Sequence, residues 1–327
     1  MTLVKRGAVS ISGVSERVES GHRVFRVSDP NALVQLIGWL KFTADGGQVL
    51  YRGQARMFPT MYASGLRRHD GKPASEAERA ALAAAIGEYI TSLAAADCRC
   101  GEGPFPFGTA HRCAEQIARG PAGPLVGSTF RAVVEPLLQH YGIRTRWLDV
   151  VDNIWIALWF ACHTEETAGV RHAFHARRSP DAERAAKGPS EDRGTDFPTP
   201  MAYVAVLDTG RLRPTNIPGY SIGEESRIVD LRYAVPSVYL RPHAQHGLLV
   251  APAKLLPGDD GALTHRVVAY IEIPLMDALD WLGSGVMTSP FVLFPPAVSD
   301  HGYRRLLDYA TNPPGALGAV KIYGPGA

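Results

Sequence analysis

The chain has 327 residues, of which 46% are hydrophobic and 20% charged, with a formal net charge of +2. This is ordinary for a globular protein of one large domain or two modest ones, and the near balance of charge excludes a global pull toward nucleic acid, membrane or acidic partners. No stretch approaches the ~18 uninterrupted apolar residues of a membrane span, and the first residues lack the apolar core of a secretory leader, so a cytoplasmic location is expected. The cysteines are Cys98, Cys100, Cys113 and Cys162, too few for a disulfide scaffold. Cys98, Cys100, His111 and Cys113 lie close together, but C-x-C followed by H-x-C is not a common zinc spacing. Free thiols in a loop are the favoured reading there, and no metal is expected.

Residues 1–29 read as an N-terminal extension of short Val-rich pieces, an edge strand or loose chain. Asp29 is placed to cap a helix that begins with Pro30 and carries Leu33, Leu36, Ile37 and Leu40 on one face. A turn at Asp45-Gly46-Gly47 leads into a strand over 48–51 that delivers Arg52 and Gly53 at its end. Ser75 and Glu78 have the spacing of a capping box and open an Ala-rich helix running to about residue 96. Glycine and proline then mark a surface loop over 101–127.

Val134, Leu137, Leu138 and Tyr141 recur at helical spacing, Pro136 is tolerable if it falls in the first turn, and Gly142 closes the helix. Asp152 reads as the N-cap of the next helix, whose buried stripe is Ile154, Ala157, Leu158, Ala161 and Cys162. Between these helices lie Arg144, Thr145, Arg146 and Asp149, with Arg146 and Asp149 expected to pair because core helices desolvate them. Residues 166–200 are charged, proline-bearing and poor in apolar side chains, and read as a mobile insertion whose mixed charges fit a solvated linker better than a nucleic-acid arm. Strands follow over 202–207, 237–240, 248–250 and 265–273, helices over 275–282 and 303–309, and one more candidate strand over 319–323. The expectation is a single α+β domain over 30–310, a mixed or antiparallel β core flanked by helices, with a C-terminal tail over 311–327.

The run QHYGIRTRWLDVVDNIWIALWFAC resembles the central pattern of the FRG domain family, and Tyr51-Arg52-Gly53-Gln54 matches its naming motif, an aromatic residue followed by Arg-Gly. RPHAQHG over 241–247 and Phe294-Pro295 are similar to the family's later blocks, so the resemblance spans roughly residues 30–310 in order.

Tyr51-Arg52-Gly53 also resembles the first motif of ADP-ribosyltransferases, which extends the expectation to a transferase-like fold. The resemblance implies that Arg52 holds the phosphate or ribose side of NAD and that Gly53 lets the backbone reach the nicotinamide carboxamide. Guanidinium forks and absent Cβ atoms suit those tasks. The alternative is a strand-end arginine that pairs with Asp149 to lock the core. Trp159, in Ala-Leu-Trp-Phe-Ala, stands at the position of a ring that stacks on nicotinamide in the polymerase branch, against the plainer reading of an aromatic core helix. The third motif departs from the pattern: Gln245 fits its first position, but Gly247 stands where the transferases carry a catalytic glutamate. Transfer would then need Gln245, His246 or an acid such as Glu224, Glu225 or Glu272, although alternation assigns Glu272 to solvent. Among the histidines, which are more often hydrogen-bonded structure than bases, His140 after Gln139 stands out because it ends a core helix beside the arginines.

The resulting expectation is an NAD-utilising enzyme, similar to ADP-ribosyltransferases, that moves ADP-ribose to a nucleic-acid or protein acceptor; bacterial defence or toxicity is implied by the resemblance alone. Arg52 and Gln245 are its candidate catalytic residues, and Tyr51, Gly53, Gln54, Thr145, Arg146, Asp149 and Trp159 its candidate cofactor contacts. The alternatives are a non-catalytic domain that recognises a nucleotide or nucleic acid through the same arginines, and a structural module held by a buried ion network.

Overall fold

The computed structural model describes residues 9–44, 46–58, 60–68, 70–95, 131–168, 171–177, 199–235, 237–254, 259–283, 285, 288–309 and 313–323. Cys98, Cys100, His111, Cys113 and the 101–127 loop lie outside the described residues.

The N-terminal extension is more ordered than its composition suggests. Strands β1 (Val14–Glu19) and β2 (His22–Val27) form a hairpin across Ser20 and Gly21, both with positive φ, as a tight hairpin turn requires. β1 is an edge strand, whereas β2 runs parallel to β11 (Val267–Pro274) inside the main sheet, its Val24, Phe25 and Val27 buried. Helix α1 (Pro30–Thr43) starts as read: Asp29 Oδ1 accepts from the Ala32 amide at 2.8 Å. The capping box of α2 (Glu76–Ala95) is also formed, with Ser75 N donating to Glu78 Oε2 at 2.7 Å and Glu78 N to Ser75 Oγ at 3.2 Å.

The remaining elements, in order, are β3 (Gly47–Gln54), α3 (Arg131–His140), β4 (Leu148–Val151), α4 (Ile154–Cys162), β5 (His163–Ala168), β6 (Arg171–Ala176), β7 (Met201–Pro214), β8 (Tyr220–Gly223), β9 (Ser226–Asp230), α5 (Leu231–Ala234), α6 (Leu240–Ala244), β10 (Gly247–Pro252), β11, α7 (Leu275–Leu282), α8 (Pro290–Leu293), α9 (His301–Tyr309) and β12 (Ile322–Tyr323). The main sheet has nine strands in the order β1-β2-β11-β7-β3-β4-β10-β9-β8. β7 is long enough to pair along β3 and β11 and then, through Leu212 to Pro214, with β8. That last pairing closes β7-β3-β4-β10-β9-β8 into a barrel, which removes the free edge of β8 and leaves β1 as a sheet edge. Leu50, Leu148, Val150, Leu207, Ile228 and Val250 share one core cluster along these strands. A second core forms around α1, α4 and α7, and a third around α2, α3, α5 and α9. The architecture is the expected α+β domain, a largely antiparallel β core flanked by helices.

Several local expectations need correction. Pro136 lies within α3, five residues beyond Arg131, rather than in a first turn. Asp152 does not cap α4; Asn153 does, accepting from the Trp155 amide at 2.9 Å, while Asp152 turns to Arg232 and His246. Residues 237–240 are not a strand, because Tyr239 precedes α6 and its ring is pressed against Gly302 and Tyr141. Part of the supposed insertion is ordered: β5 and β6 pair antiparallel, and β12 adds to β6. Residues 178–198 of it lie outside the described residues. Glu272 is buried, with both carboxylate oxygens held by Arg17, because β11 is covered along nearly its whole length instead of on one face. Gly142 closes α3 as read, at φ +107°, with Ile143 N donating to Leu138 O.

Candidate functional site

The arginines, Asp149 and the end of α3 meet where β4 begins. By strand alternation Arg52 follows Leu50 on the face of β3 turned to the barrel cluster. Its Nη1 donates to the backbone carbonyl of Asp149 at 2.6 Å, and its Nε is buried with no partner among the described residues. The Asp149 carboxylate lies beside it and is partly open to solvent. Gln139 Nε2 donates to Oδ2 at 2.9 Å, and His140 Nδ1 lies 3.3 Å from Oδ1. Burial works to raise the Asp149 pKa, but the His140 contact, the Arg52 charge and the Gln139 hydrogen bond together hold it below the usual carboxylate range.

Gln139 ties this group to the loops. Its Oε1 accepts from Ser64 Oγ, Thr145 N and Thr145 Oγ1, all at 3.0–3.1 Å. Arg144 reaches the same loop and donates to the carbonyls of Ser64 and Arg67. Arg67, in the same loop, is partly open to solvent. Burial lowers the pKa of Arg52 and of Arg67, and a like charge adds to each effect: Arg67 acts on Arg52, and Arg144 acts on Arg67. Arg67 therefore stands close enough to Arg52 and to Arg144 to repel each, and Arg52 is the arginine whose charge acts on the Asp149 carboxylate.

Of the other candidate residues, the structure keeps Thr145 in this group and separates Arg146, Gly53, Trp159, Gln245 and Gln54 from it. Arg146 does not pair with Asp149; its Nε and Nη2 grip Glu135 on α3 at 3.0 and 2.6 Å, leaving Asp149 for His140 and Gln139. Gly53 is a packing glycine, since a Cβ there would come 1.9 Å from Ala157 O and 2.6 Å from Ala161 N on α4. Trp159 is buried, with its ring stacked on His163 at 4.0 Å between centroids and tilted against Phe174 and Phe294. Gln245 is buried and donates Nε2 to Leu293 O at 2.7 Å. Gln54 is buried, its Nε2 facing Met61 Sδ at 3.8 Å. Thr145 is buried as the hinge of the Gln139 network.

A second polar cluster lies at the far end of β4, where the sequence offered Asp152 as a helix cap, His246 as a possible group for transfer and Tyr51 as a candidate cofactor contact. Arg232 donates Nε to Asp230 Oδ1 at 2.9 Å and Nη2 to Asp152 Oδ2 at 2.7 Å, bridging the two carboxylates. His246 Nδ1 lies 3.1 Å from Asp152 Oδ1. Its backbone has φ +51°, the left-handed region that a β-substituted residue seldom adopts. Burial tends to raise the Asp152 pKa, but Arg232 and then His246 bring it below the ordinary value. The Tyr51 hydroxyl is buried with no hydrogen-bond partner among the described residues, and burial, then the Asp152 charge, push its pKa up. Neither Arg67 nor Arg232 was among the sequence candidates, because no spacing rule connects positions about eighty residues apart, such as 152 and 232.

The family model of the FRG domain matches residues 126–169, the stretch that supplies α3, Asp149 and α4. The match supports the FRG reading over that stretch, and the signature cluster just described is built from it together with Arg52, Ser64 and Arg67 from outside it. No curated protein and no solved structure matches the chain.

Proposed function

We propose that the chain recognises a nucleotide through its phosphates, with NAD as the first candidate, at the cluster of Arg52, Arg67 and Arg144. One observation carries the reading: the guanidiniums converge, yet the hydrogen bonds of Arg52 and Arg144 go to the backbone carbonyls of Asp149, Ser64 and Arg67 rather than to carboxylates. Asp149 offsets the charge of Arg52, but no carboxylate bonds Arg67 or Arg144 among the described residues, and a phosphate or pyrophosphate that accepts from planar forks would offset the cost of holding these like charges together. The test is calorimetric titration with NAD, ADP-ribose, AMP and pyrophosphate on wild type, Arg67→Ala and Arg144→Ala. A ligand at a hundred times its Kd should add about 2.7 kcal/mol to stability. Binding that weakens in both variants, and weakens with added salt, supports the reading. Absence of binding by all four ligands overturns it.

Transfer of ADP-ribose from NAD to a macromolecular acceptor is a second reading, favoured by the Asp149 carboxylate. That group stays ionised beside Arg52, where a negative charge could steady the cationic ribose formed as nicotinamide leaves. Gln245, Gly53 and Trp159 give this reading no support, since their side chains or Cβ positions are taken up by packing. Release of nicotinamide from NAD by wild type, lost in Asp149→Asn while nucleotide affinity persists, would establish it.

A further inference from the structure

Residues 313–323, near the C-terminal end, lie along the loop that follows α3, and two main-chain hydrogen bonds join them to it. Arg144 N donates to Leu317 O at 2.8 Å, and Lys321 N donates to Tyr141 O at 2.9 Å. The two bonds run in opposite chain directions, so this strap crosses antiparallel to the segment that carries Arg144.

Its two halves are held very differently. At the far end, Lys321 Nζ donates to both oxygens of Glu165, at 2.7 and 2.6 Å, and Tyr323 Oη donates to the same carboxylate at 3.0 Å. Tyr303 Oη donates to Lys321 O at 2.7 Å, β12 pairs with β6, and Val320 is buried. The nearer half has little of this. Pro314, Gly315, Ala316, Gly318 and Ala319 are exposed, and Leu317 alone is buried from 313 to 319, in the core around α2 and α3. Gly318 turns the chain at φ +74°, where glycine is favoured. Few buried contacts are what let a segment open while the rest of a fold stays closed.

Arg144 is tied to that weaker half. The amides of Gly142 and Ile143 are satisfied within the end of α3, by Gln139 O and Leu138 O, so Arg144 is the first residue after the helix whose amide bonds outside it. Its guanidinium reaches the other way, to the carbonyls of Ser64 and Arg67. The strap on one side and the 64–67 loop on the other thus fix where this charge stands.

We infer that residues 313–319 position Arg144 for phosphate, and that the arginine cluster is complete only while this part of the strap is closed. The inference rests on the phosphate reading above, and makes Leu317 and Gly318 positioning residues that act through Arg144.

The test follows amide hydrogen exchange by NMR at Arg144, Lys321 and Val204, the last in the middle of β7 between β3 and β11. Calorimetry with pyrophosphate accompanies it, on the full chain of wild type, Leu317→Ala and Gly318→Ala. In wild type the Arg144 amide should be about a hundredfold less protected than those of Lys321 and Val204. Saturating pyrophosphate should slow exchange at Arg144, since a ligand that prefers the closed strap must in turn favour closure. Leu317→Ala should weaken pyrophosphate about tenfold if its strap is closed a tenth of the time. Should that variant fail to fold, Gly318→Ala serves instead: a Cβ there meets nothing within 4 Å, so the change strains only the strap backbone, and exchange at Arg144 should quicken about fivefold. Equal protection at Arg144 and Lys321 overturns the inference, because no separate opening then exists. Exchange at Arg144 that ignores bound pyrophosphate overturns it too, as does a folded Leu317→Ala protein with wild-type affinity. Wild type that binds no pyrophosphate removes the phosphate reading and the positioning role with it, and the spread of protection then reports the strap by itself.

Discussion

The ring of His140 occupies the space that a side chain at position 247 would need. A Cβ built on Gly247 comes 2.7 Å from His140 Cε1 and 2.9 Å from Nε2. Gly247 is thus required by packing between the end of α3 and the start of β10. Gly247→Glu should not create transferase activity. It should displace His140 from Asp149 and cost about 1–3 kcal/mol through overpacking. Denaturant melts of Gly247→Ala and Gly247→Glu would check this, and a Gly247→Glu protein as stable as wild type would show that the His140 ring moves aside freely.

The pair that holds the signature loop to α3 is Arg146 with Glu135. Glu135 is almost fully buried and also accepts from the Arg146 amide, whereas the Arg146 side chain is 28% exposed. Arg146→Ala strands a buried carboxylate, which should cost about 3 kcal/mol, the low end for a broken buried pair because water reaches one partner. Arg146→Ala with Glu135→Gln should recover part of the loss, as measured by a double-mutant cycle.

Acid should loosen the site before the rest of the fold. A carboxyl whose folded pKa is depressed contributes stability that is fully present above its unfolded value, about 3.9, and is lost as pH falls through the lower folded value. Asp149 is such a group, and so are Asp152 and Glu165. The melting temperature of wild type should therefore fall steeply below about pH 4, and Asp149→Asn should flatten part of that fall while lowering stability at pH 7. Identical slopes for the two proteins in that window would mean that the Asp149 interactions do not survive in solution.

Much of the architecture was legible in local chemistry. Asp29 with Pro30, Ser75 with Glu78, and Gly142 each act through residues at most five apart, so caps and turns could be read directly. The errors came where a partner is remote. Arg146 chose Glu135 over Asp149 because α3 begins earlier than its proline suggested, which brings a buried carboxylate within reach. Asp152 was read as a cap because Arg232 and His246, distant in sequence, were invisible as its partners. Glu272 was assigned to solvent because alternation says which face a residue takes, not whether Arg17 on another strand covers that face. Gly53 was identified as a close-approach glycine, but the sequence could not say that the backbone approaching it is α4.

Arg241 offers the sharpest test of how the C-terminal segment is held. It is fully buried, and its guanidinium carbon lies 4.3 Å from the Tyr141 ring centroid, 4.6 Å from Tyr303, 4.8 Å from Tyr323 and 5.5 Å from Phe294. The nearby Asp300 is engaged by Tyr141 Oη and by the amides of Arg241 and Tyr303, and Arg241 Nε and Nη2 have no hydrogen-bond partner among the described residues. The charge is therefore held mainly by ring faces, which are worth about 0.5–2 kcal/mol each for a desolvated cation. Lysine keeps the charge but concentrates it on a more strongly hydrated ammonium that cannot lie flat among four rings. Methionine gives up the cation–π attraction and with it the cost of burying a charge. Melting temperatures should fall in the order wild type, Arg241→Met, Arg241→Lys. An Arg241→Lys protein as stable as wild type would show that the aromatic cage recognises charge alone, and an Arg241→Met protein more stable than wild type would show that desolvation of the guanidinium outweighs all four rings.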